Sequence, residues 1–267
     1  MFTTEKEKLG VFNDLEAVPI NNLFFHEDYD ESRLENIKES ILAKGMLLNP
    51  PLALKVSENK YLILDGAHRT LALKSLGCNY MIIQKVDEEN FHRLTVESWA
   101  HKVLRKELFK SFESKIPLEL ISSYDNDTLS IEVYNENGTK KYYRVKDYNR
   151  LSPFKKYNYW REIVNSYKDS NLYERLVPNE EKVHNKSFMV VNFPALTIED
   201  LKELCEEGIL LPAGVTRCLF QGRILNLKLP LHFLMEAEIN NLALNNLYSD
   251  WLNHLRFYQE SVHVLDI

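Results

Sequence analysis

The chain has 267 residues, 45% hydrophobic and 27% charged, which suits a water-soluble protein of one large domain or two ordinary ones. Its net charge of -6 disfavours nucleic acid as a partner, because DNA attracts basic surfaces. No apolar run approaches the roughly 20 residues that cross a bilayer, and the N-terminus MFTTEKEKLG lacks the apolar segment of a signal peptide. With three scattered cysteines, these features predict a cytoplasmic protein without a membrane span.

The first part of the chain predicts a compact α/β unit. Ser32 to Glu35 has the spacing of a capping box, and the apolar residues that follow recur on one helical face until Gly45. Two apolar runs, 52–56 and 61–64, flank a polar turn and predict a β-hairpin. Residues 82–86 predict a further strand. A strand-rich unit with one capped helix is therefore expected before residue 87.

The rest of the chain predicts a second mixed region. The remaining predicted elements are, in chain order, a helix over about 89–112, a β-hairpin over 128–146 around Asn137 and Gly138, a helix over 153–167, a loop over 171–186, a strand over 188–191, a helix over 198–206 with Thr197 as N-cap, and a long helix over 232–258. The fold class is therefore α/β, or α+β. We expect a nucleotide-binding lobe at 1–112 and a second α/β lobe at 113–267 that forms a cleft with it and contributes to the substrate site.

The stretch YLILDGAHRTLALKSLG places a short polar segment, Asp65 to Arg69, between a buried strand and a helix that Gly77 ends. A helix start exposes unpaired backbone N–H groups at the positive end of the helix dipole. Gly66 allows a ligand to approach the backbone, and Arg69 can add a bidentate contact to an anion. The pattern therefore predicts a phosphate site at this turn.

The order of elements over roughly residues 15–87, with this G-x-H-R turn, resembles the ParB/sulfiredoxin-like superfamily, whose turn binds nucleotide phosphates. Sulfiredoxins place a reactive cysteine directly before the His-Arg pair, where this chain has Ala67. Chromosome-segregation ParB proteins follow the turn with basic DNA-binding helices, and no such run follows residue 87. A ParB-like nucleotide-dependent DNA-binding or regulatory protein is the alternative to the third branch, the free L-serine kinases.

Four separate stretches resemble the free L-serine kinases: FFHEDYDESRLENIKESI, LDGAHR, ESWAHKV and LLPAGVTRCLFQGRILNLKLPL. The resemblance implies transfer of a phosphoryl group from ATP or ADP to the hydroxyl of free L-serine, with Mg2+, giving O-phospho-L-serine. ATP and ADP share the phosphates that the turn would contact, so the sequence does not distinguish between them as the phosphoryl donor. The product would serve cysteine or siderophore-precursor synthesis.

The resemblance also implies roles for individual residues. Glu27 is the expected general base, although an acidic residue here could simply cap a helix. Asp65 is expected to hold Mg2+ or to share the proton-handling role, although a turn aspartate could simply accept backbone hydrogen bonds. The expected phosphate-binding residues are Gly66, Ala67, His68, Arg69 and Thr70. The expected substrate-binding residues are Trp99, His101, Thr216, Arg217 and Arg223. Cys218 stands where a histidine is commoner in the family motif.

Overall fold

The computed structural model describes residues 12–135, 137, 139–168, 173–177 and 187–258. The strands are β1 Leu15–Pro19, β2 Leu23–Phe25, β3 Met46–Leu47, β4 Leu52–Ser57, β5 Lys60–Asp65, β6 Tyr80–Val86, β7 Leu94–Ser98, β8 Ala100–Val103, β9 Leu118–Ile121, β10 Ser130–Tyr134, β11 Lys140–Val145, β12 Tyr173–Leu176, β13 Phe188–Asn192, β14 Thr216–Phe220 and β15 Leu229–Pro230. The α-helices are α1 Glu31–Lys44, α2 Ala67–Ser75, α3 Phe109–Glu113, α4 Pro153–Asn165, α5 Ile198–Glu207, α6 Leu231–Met235 and α7 Asn241–His254. Short 3-10 turns lie at Ile20–Asn22, Phe91–Arg93, Lys106–Leu108 and Tyr148–Arg150. The mixed α/β class is confirmed.

The chain divides into two compact units that are not continuous in sequence. The first contains the chain up to Leu23, Glu31–Phe91 and the chain from Gly222 onward, and the second contains Phe24–Asp30 and His92–Gln221. The boundaries of these units differ from the predicted division between residues 112 and 113, because the chain returns to the first unit at Gly222. The division into a nucleotide lobe and a substrate lobe stays a prediction.

The first unit is organised around a sheet in which β1, β6, β4 and β5 are neighbours in that order. β1 runs antiparallel to β6, β6 parallel to β4, and β4 antiparallel to β5, so the predicted hairpin is confirmed. Leu52, Leu54, Leu62, Ile63 and Ile83 are at most 1% exposed and form part of its core. Strand β5 therefore holds Asp65 firmly at the point where the chain turns into α2.

The second unit contains a six-stranded sheet in the order β12-β8-β13-β10-β11-β9, and its described strand pairs are antiparallel. β7 pairs separately with β14. Helix α4 buries Trp160 among apolar neighbours. Helix α5 begins with a capping box in which Thr197 and Asp200 bond each other's backbone N–H, which confirms Thr197 as the N-cap.

Several predicted elements differ from the structure. The helix expected over 89–112 is wrong, since β7 and β8 occupy its centre and their ladders to β14 and β13 satisfy the backbone. The long C-terminal helix is interrupted after Met235, and α7 begins only at Asn241. Helix α1 starts at Glu31, so Ser32 lies inside its first turn.

The structure also differs from the sequence reading between residues 130 and 186. Part of the predicted loop over 171–186 is strand β12, only residue 177 is seen as a loop, and 171–172 and 178–186 lie outside the described residues. Strands β10 and β11 confirm the hairpin near Asn137, although Gly138 lies outside the described residues.

Within the described part of the chain, none of the helices has the length and apolar character that crossing a membrane requires.

Candidate active site

The turn from β5 into α2 has the geometry expected of a phosphate-binding loop. Gly66 is the N-cap of α2 and has φ 93°, a left-handed conformation that glycine adopts without strain. A Cβ at this position would lie 2.8 Å from Arg69 Nη2 and 2.9 Å from Pro51 Cβ, so space as well as backbone conformation requires glycine. Ala67, His68 and Arg69 form the first turn of α2, and the start of a helix is where backbone N–H groups favour an anion.

Two arginines hold the carboxylate of Asp65. Arg69 Nη2 and Arg223 Nη2 each donate a hydrogen bond of 3.0 Å to Asp65 Oδ2. Arg223 also donates to the carbonyl of Pro50 at 3.0 Å and to Gln84 Oε1 at 3.1 Å, and its burial lowers the pKa of its guanidinium. Two guanidinium groups beside one carboxylate leave a net positive charge at the turn, which favours a phosphate.

This arrangement changes the position expected for two residues. Arg223 was predicted to bind substrate; it lies in the first unit with Asp65, where it bonds Gln84 and Pro50, and its substrate contact stays a prediction. Thr70 was predicted to bind phosphate, but it is fully buried and its hydroxyl donates to the carbonyl of Gly66 at 3.1 Å. Thr70 therefore stabilises the turn from within.

A Mg2+ ion is implied by the resemblance to kinases, and Asp65 is its predicted ligand. Among the described residues, no group of three or more acidic, histidine or cysteine side chains gathers to hold a metal. Mg2+ that arrives on a nucleotide needs only one or two carboxylates, since phosphates and water supply its other ligands. The side chain of Asp65 is 53% exposed, and its described bonds use Oδ2. The turn therefore fits an ion carried by the nucleotide.

In the second unit, Glu27 is held by three successive backbone N–H groups. Its Oε2 accepts from Gly214 N at 2.7 Å, and its Oε1 accepts from Val215 N at 3.1 Å and from Thr216 N at 2.6 Å. The Thr216 hydroxyl donates to Oε1 at 2.5 Å. Hydrogen bonds to a carboxylate are charge-assisted and fix its orientation strongly. We call Glu27 with Gly214–Thr216 the glutamate cradle.

His26, which was not among the predicted site residues, contacts the cradle. His26 is 4% exposed, and its Nε2 lies 2.7 Å from Thr216 Oγ1. The Thr216 hydroxyl has one proton, which it gives to Glu27, so it accepts a hydrogen bond from His26 Nε2–H. The segment is anchored by Leu211, whose N–H donates to the His26 carbonyl at 2.7 Å. No local sequence signal marks this contact, because its partners are 190 residues apart.

His101 supports the cradle from the buried side. It lies on β8 and is 0% exposed, whereas the sequence placed it on a helix and on the wall of a serine pocket. Nε2 donates to the Gly214 carbonyl at 2.8 Å, and Nδ1 accepts from the Tyr167 hydroxyl at 2.8 Å. Burial lowers the pKa of His101 to about 4 and raises that of Tyr167 well above its ordinary value. The ring is therefore neutral and fixes the loop that carries Gly214.

Trp99 and Arg217 lie beside the cradle. Strand β14 pairs with β7 so that Arg217 stands opposite Glu97, and Arg217 Nη1 donates to Glu97 Oε2 at 2.9 Å. The Arg217 guanidinium stacks over the Trp99 ring at 4.8 Å from its centroid. Trp99 N donates to the Val215 carbonyl at 3.0 Å. Trp99, Thr216 and Arg217 are therefore neighbours, and their contact with a substrate stays a prediction.

Solved structures of free serine kinases share this fold. A free serine kinase in complex with AMP aligns with a TM-score of 0.64 and 18% identity, covering 83% of this chain and 93% of the other. A mutant of a free serine kinase in complex with ADP aligns equally well, with a TM-score of 0.64 and 18% identity over 83% of this chain and 94% of the other. The chain is thus similar in fold to the class of free serine kinases.

A particular relative matches nearly the whole chain. The ATP-dependent L-serine kinase SbnI of Staphylococcus aureus is 25% identical over 258 residues, which are 96% of this chain and 98% of SbnI. The structure of SbnI with a C-terminal truncation aligns with a TM-score of 0.77 and 23% identity, covering 90% of this chain and 98% of that one. No protein-family model matches. These matches confirm the resemblance to free L-serine kinases.

Proposed function

We propose that the protein is a free L-serine kinase that transfers a phosphoryl group from ATP or ADP to the serine hydroxyl. The observation that carries the proposal is the match to an ATP-dependent L-serine kinase over 96% of this chain, in a molecule whose Glu27 carboxylate is held by the cradle. The same match favours phosphorylation over the ParB-like DNA-binding alternative. Its ATP-dependent reaction favours ATP as the donor, and the AMP and ADP complexes belong to other relatives.

The acceptor chemistry is assigned to the cradle. Glu27 Oε1 receives three hydrogen bonds and Oε2 receives one, so Oε2 is the oxygen with room to accept the serine hydroxyl proton. As that O–H bond breaks, the serine oxygen forms its bond to phosphorus and the bond from phosphorus to the nucleotide oxygen breaks. A positioned carboxylate mainly orients the attacking hydroxyl, because phosphoryl transfer needs little covalent help. Thr216 and His26 keep the carboxylate in place during this step.

The donor is assigned to the turn that starts α2. The N–H groups at Gly66, Ala67 and His68 and the guanidinium of Arg69 would bind phosphate oxygens, and Asp65 would orient Arg69. Arg223, bonded to the same Asp65 oxygen, adds a second positive charge. Mg2+, when bound, would be held by Asp65 with the donor's phosphates and would offset their negative charge.

Finer assignments belong to the same proposal. The first lobe is proposed to be ParB/sulfiredoxin-like, on the basis of the strand, Gly66 turn and helix α2. Trp99, Arg217 and Thr216 are proposed to bind L-serine. A cytoplasmic location is supported by Cys78, Cys205 and Cys218, which form no disulfide, as expected in a reducing compartment. The product O-phospho-L-serine would feed cysteine or siderophore-precursor synthesis, as the resemblance implies.

Phosphorus NMR tests the function directly. Purified protein is incubated with Mg2+ and L-serine, with ATP in one sample and ADP in another. A phosphomonoester signal that matches phosphoserine and requires serine would support the kinase and identify its donor. An intact nucleotide in both samples, under conditions where nucleotide binding is demonstrated, would refute the kinase and favour a nucleotide switch.

Glu27→Gln separates catalysis from binding in the same assay. We expect phosphoserine formation to fall by about 100-fold or more, because the amide cannot accept the proton, while the nucleotide dissociation constant changes little. Glu39→Gln is the control, since Glu39 is an exposed acid on α1. A joint loss of transfer, nucleotide binding and melting temperature in Glu27→Gln would show a structural role instead.

A further inference from the structure

An arginine outside the predicted site lies directly against the glutamate cradle. Arg175 is on β12, where it stands opposite His101 of β8 in the antiparallel register. Its Nη2, Cζ and Nε atoms occupy the space that a Cβ on Gly214 would fill. Gly214 has φ 77°, so both its backbone and its missing side chain allow the guanidinium to lie against the peptide. The N–H of this glycine is the group that binds Glu27 Oε2.

The charge of Arg175 is not offset by a described carboxylate, unlike that of Arg217. Arg217 is paired with Glu97 and stacked on Trp99. Arg175 is exposed, and among the described residues its guanidinium has neither a hydrogen bond nor an ion pair. Arg175 and Glu27 both contact Gly214 without forming an ion pair with each other. Within the part of the chain that the structure describes, the N–H donors of the guanidinium, five in an arginine, are not used by another side chain.

An exposed arginine without a partner is often only a solvated surface group. Two features distinguish Arg175 from that case. Its guanidinium lies against the backbone of Gly214, the residue whose N–H binds Glu27 Oε2. A substrate carboxylate or phosphoryl group near the Glu27 carboxylate is repelled unless a cation lies nearby. Arg175 supplies a cation at the same glycine.

We propose that Arg175 is a further substrate-binding residue, whose guanidinium binds an oxyanion of the substrate at the glutamate cradle. This inference rests on the proposed kinase function. The oxyanion is either the carboxylate of free L-serine or the phosphoryl group in transfer, since both present two oxygens to a planar guanidinium. Arg175 thus complements Arg217, whose Nη1 is already committed to Glu97.

The test compares Arg175→Gln and Arg175→Lys with the wild type in steady-state phosphorylation of L-serine. We expect kcat/KM to fall at least about 10-fold in Arg175→Gln and less in Arg175→Lys, which keeps the charge without the planar fork. A rise in the KM for L-serine at unchanged kcat identifies the carboxylate as the ligand. A fall in kcat at unchanged KM identifies the transferred phosphoryl group. Unchanged kinetics in both variants would overturn the proposal.

Two controls keep this result separate from folding and from the function itself. Arg150→Gln removes a guanidinium that is 86% exposed and should leave the kinetics unchanged. Melting temperatures show whether Arg175→Gln remains folded. If this variant unfolds, the kinetics of Arg175→Lys alone test the proposal. An inactive wild type would count against the kinase, whereas an active wild type with an equally active Arg175→Gln counts against Arg175 alone. Calorimetric titration with L-serine adds a readout that does not depend on turnover.

Discussion

Acidification should destabilise the second unit through His101. The folded protein holds this ring neutral, because burial lowers its pKa to about 4, while an unfolded histidine titrates near 6.5. Between these two pH values the unfolded state binds a proton that the folded state refuses. The contribution of His101 to stability is therefore complete above about pH 6.5 and is lost as the pH falls toward about 4.

The size of this effect follows from the two pKa values. A fall from 6.5 to about 4 corresponds to about 3 kcal/mol of unfolding free energy. His101→Gln removes the titration while keeping an amide that can donate to the Gly214 carbonyl. The variant should be less stable than the wild type near neutral pH, because the bond to Tyr167 is lost. The unfolding free energy of the wild type, taken relative to that of the variant, should fall by about 3 kcal/mol as the pH falls from 6.5 to about 4.

Urea unfolding followed by tryptophan fluorescence measures this difference. Both proteins are unfolded at several values between about pH 7.5 and about pH 4.5, without nucleotide or serine, and their unfolding free energies are subtracted at each pH. Subtraction cancels the titration of groups that the two proteins share. A difference that stays constant across the range would refute the argument, because His101 would then have the same proton affinity in the folded and unfolded states.

Two further predictions concern the glutamate cradle and the turn that carries Asp65. Thr216→Val removes the hydroxyl that donates to Glu27 Oε1 at 2.5 Å, and we expect kcat for serine phosphorylation to fall roughly 10- to 100-fold, as loss of a charge-assisted bond implies. An unchanged kcat would exclude this hydroxyl from orienting the carboxylate. Asp65→Asn removes the negative charge beside two guanidinium groups. Calorimetry should then show tighter ADP binding without Mg2+ and a weaker effect of added Mg2+, whereas an unaltered Mg2+ dependence would argue against Asp65 as a ligand of the ion.

The phosphate-type turn could be predicted because its signals are local. An apolar strand, a glycine and a helix with a glycine stop lie within residues 61–77, and each element depends mainly on its neighbours in sequence. Thr197 could be predicted as the N-cap of α5 for the same reason, because a capping box spans only four residues. The prediction that this turn binds a nucleotide still depended on the resemblance to the free L-serine kinases, since the start of a helix alone is compatible with many ligands.

The partners of individual side chains could not be predicted in this way. Residues 94–103 are a short mixed run, and only pairing with β14 and β13 makes them strands. That pairing turns His101 inward, where Tyr167 and Gly214 use both of its ring nitrogens. Arg217 and Arg223 are only six residues apart, yet the chain passes from the second compact unit to the first at Gly222. Their neighbours therefore differ, with Glu97 beside Arg217 and Asp65 and Gln84 beside Arg223, which spacing along the chain could not predict.

Gly214 explains why the cradle depends on backbone geometry more than on recognisable side chains. Its N–H binds Glu27 Oε2, its carbonyl binds His101 Nε2, and its Cα face lies against the Arg175 guanidinium. A side chain there would displace the arginine, and φ 77° would strain any residue with a Cβ. In the sequence, Gly214 is merely the glycine of LLPAGVTR, and its three partners come from distant parts of the chain. The Gly214 peptide thus links Glu27 Oε2, the buried His101 and Arg175, and no single motif could identify this junction.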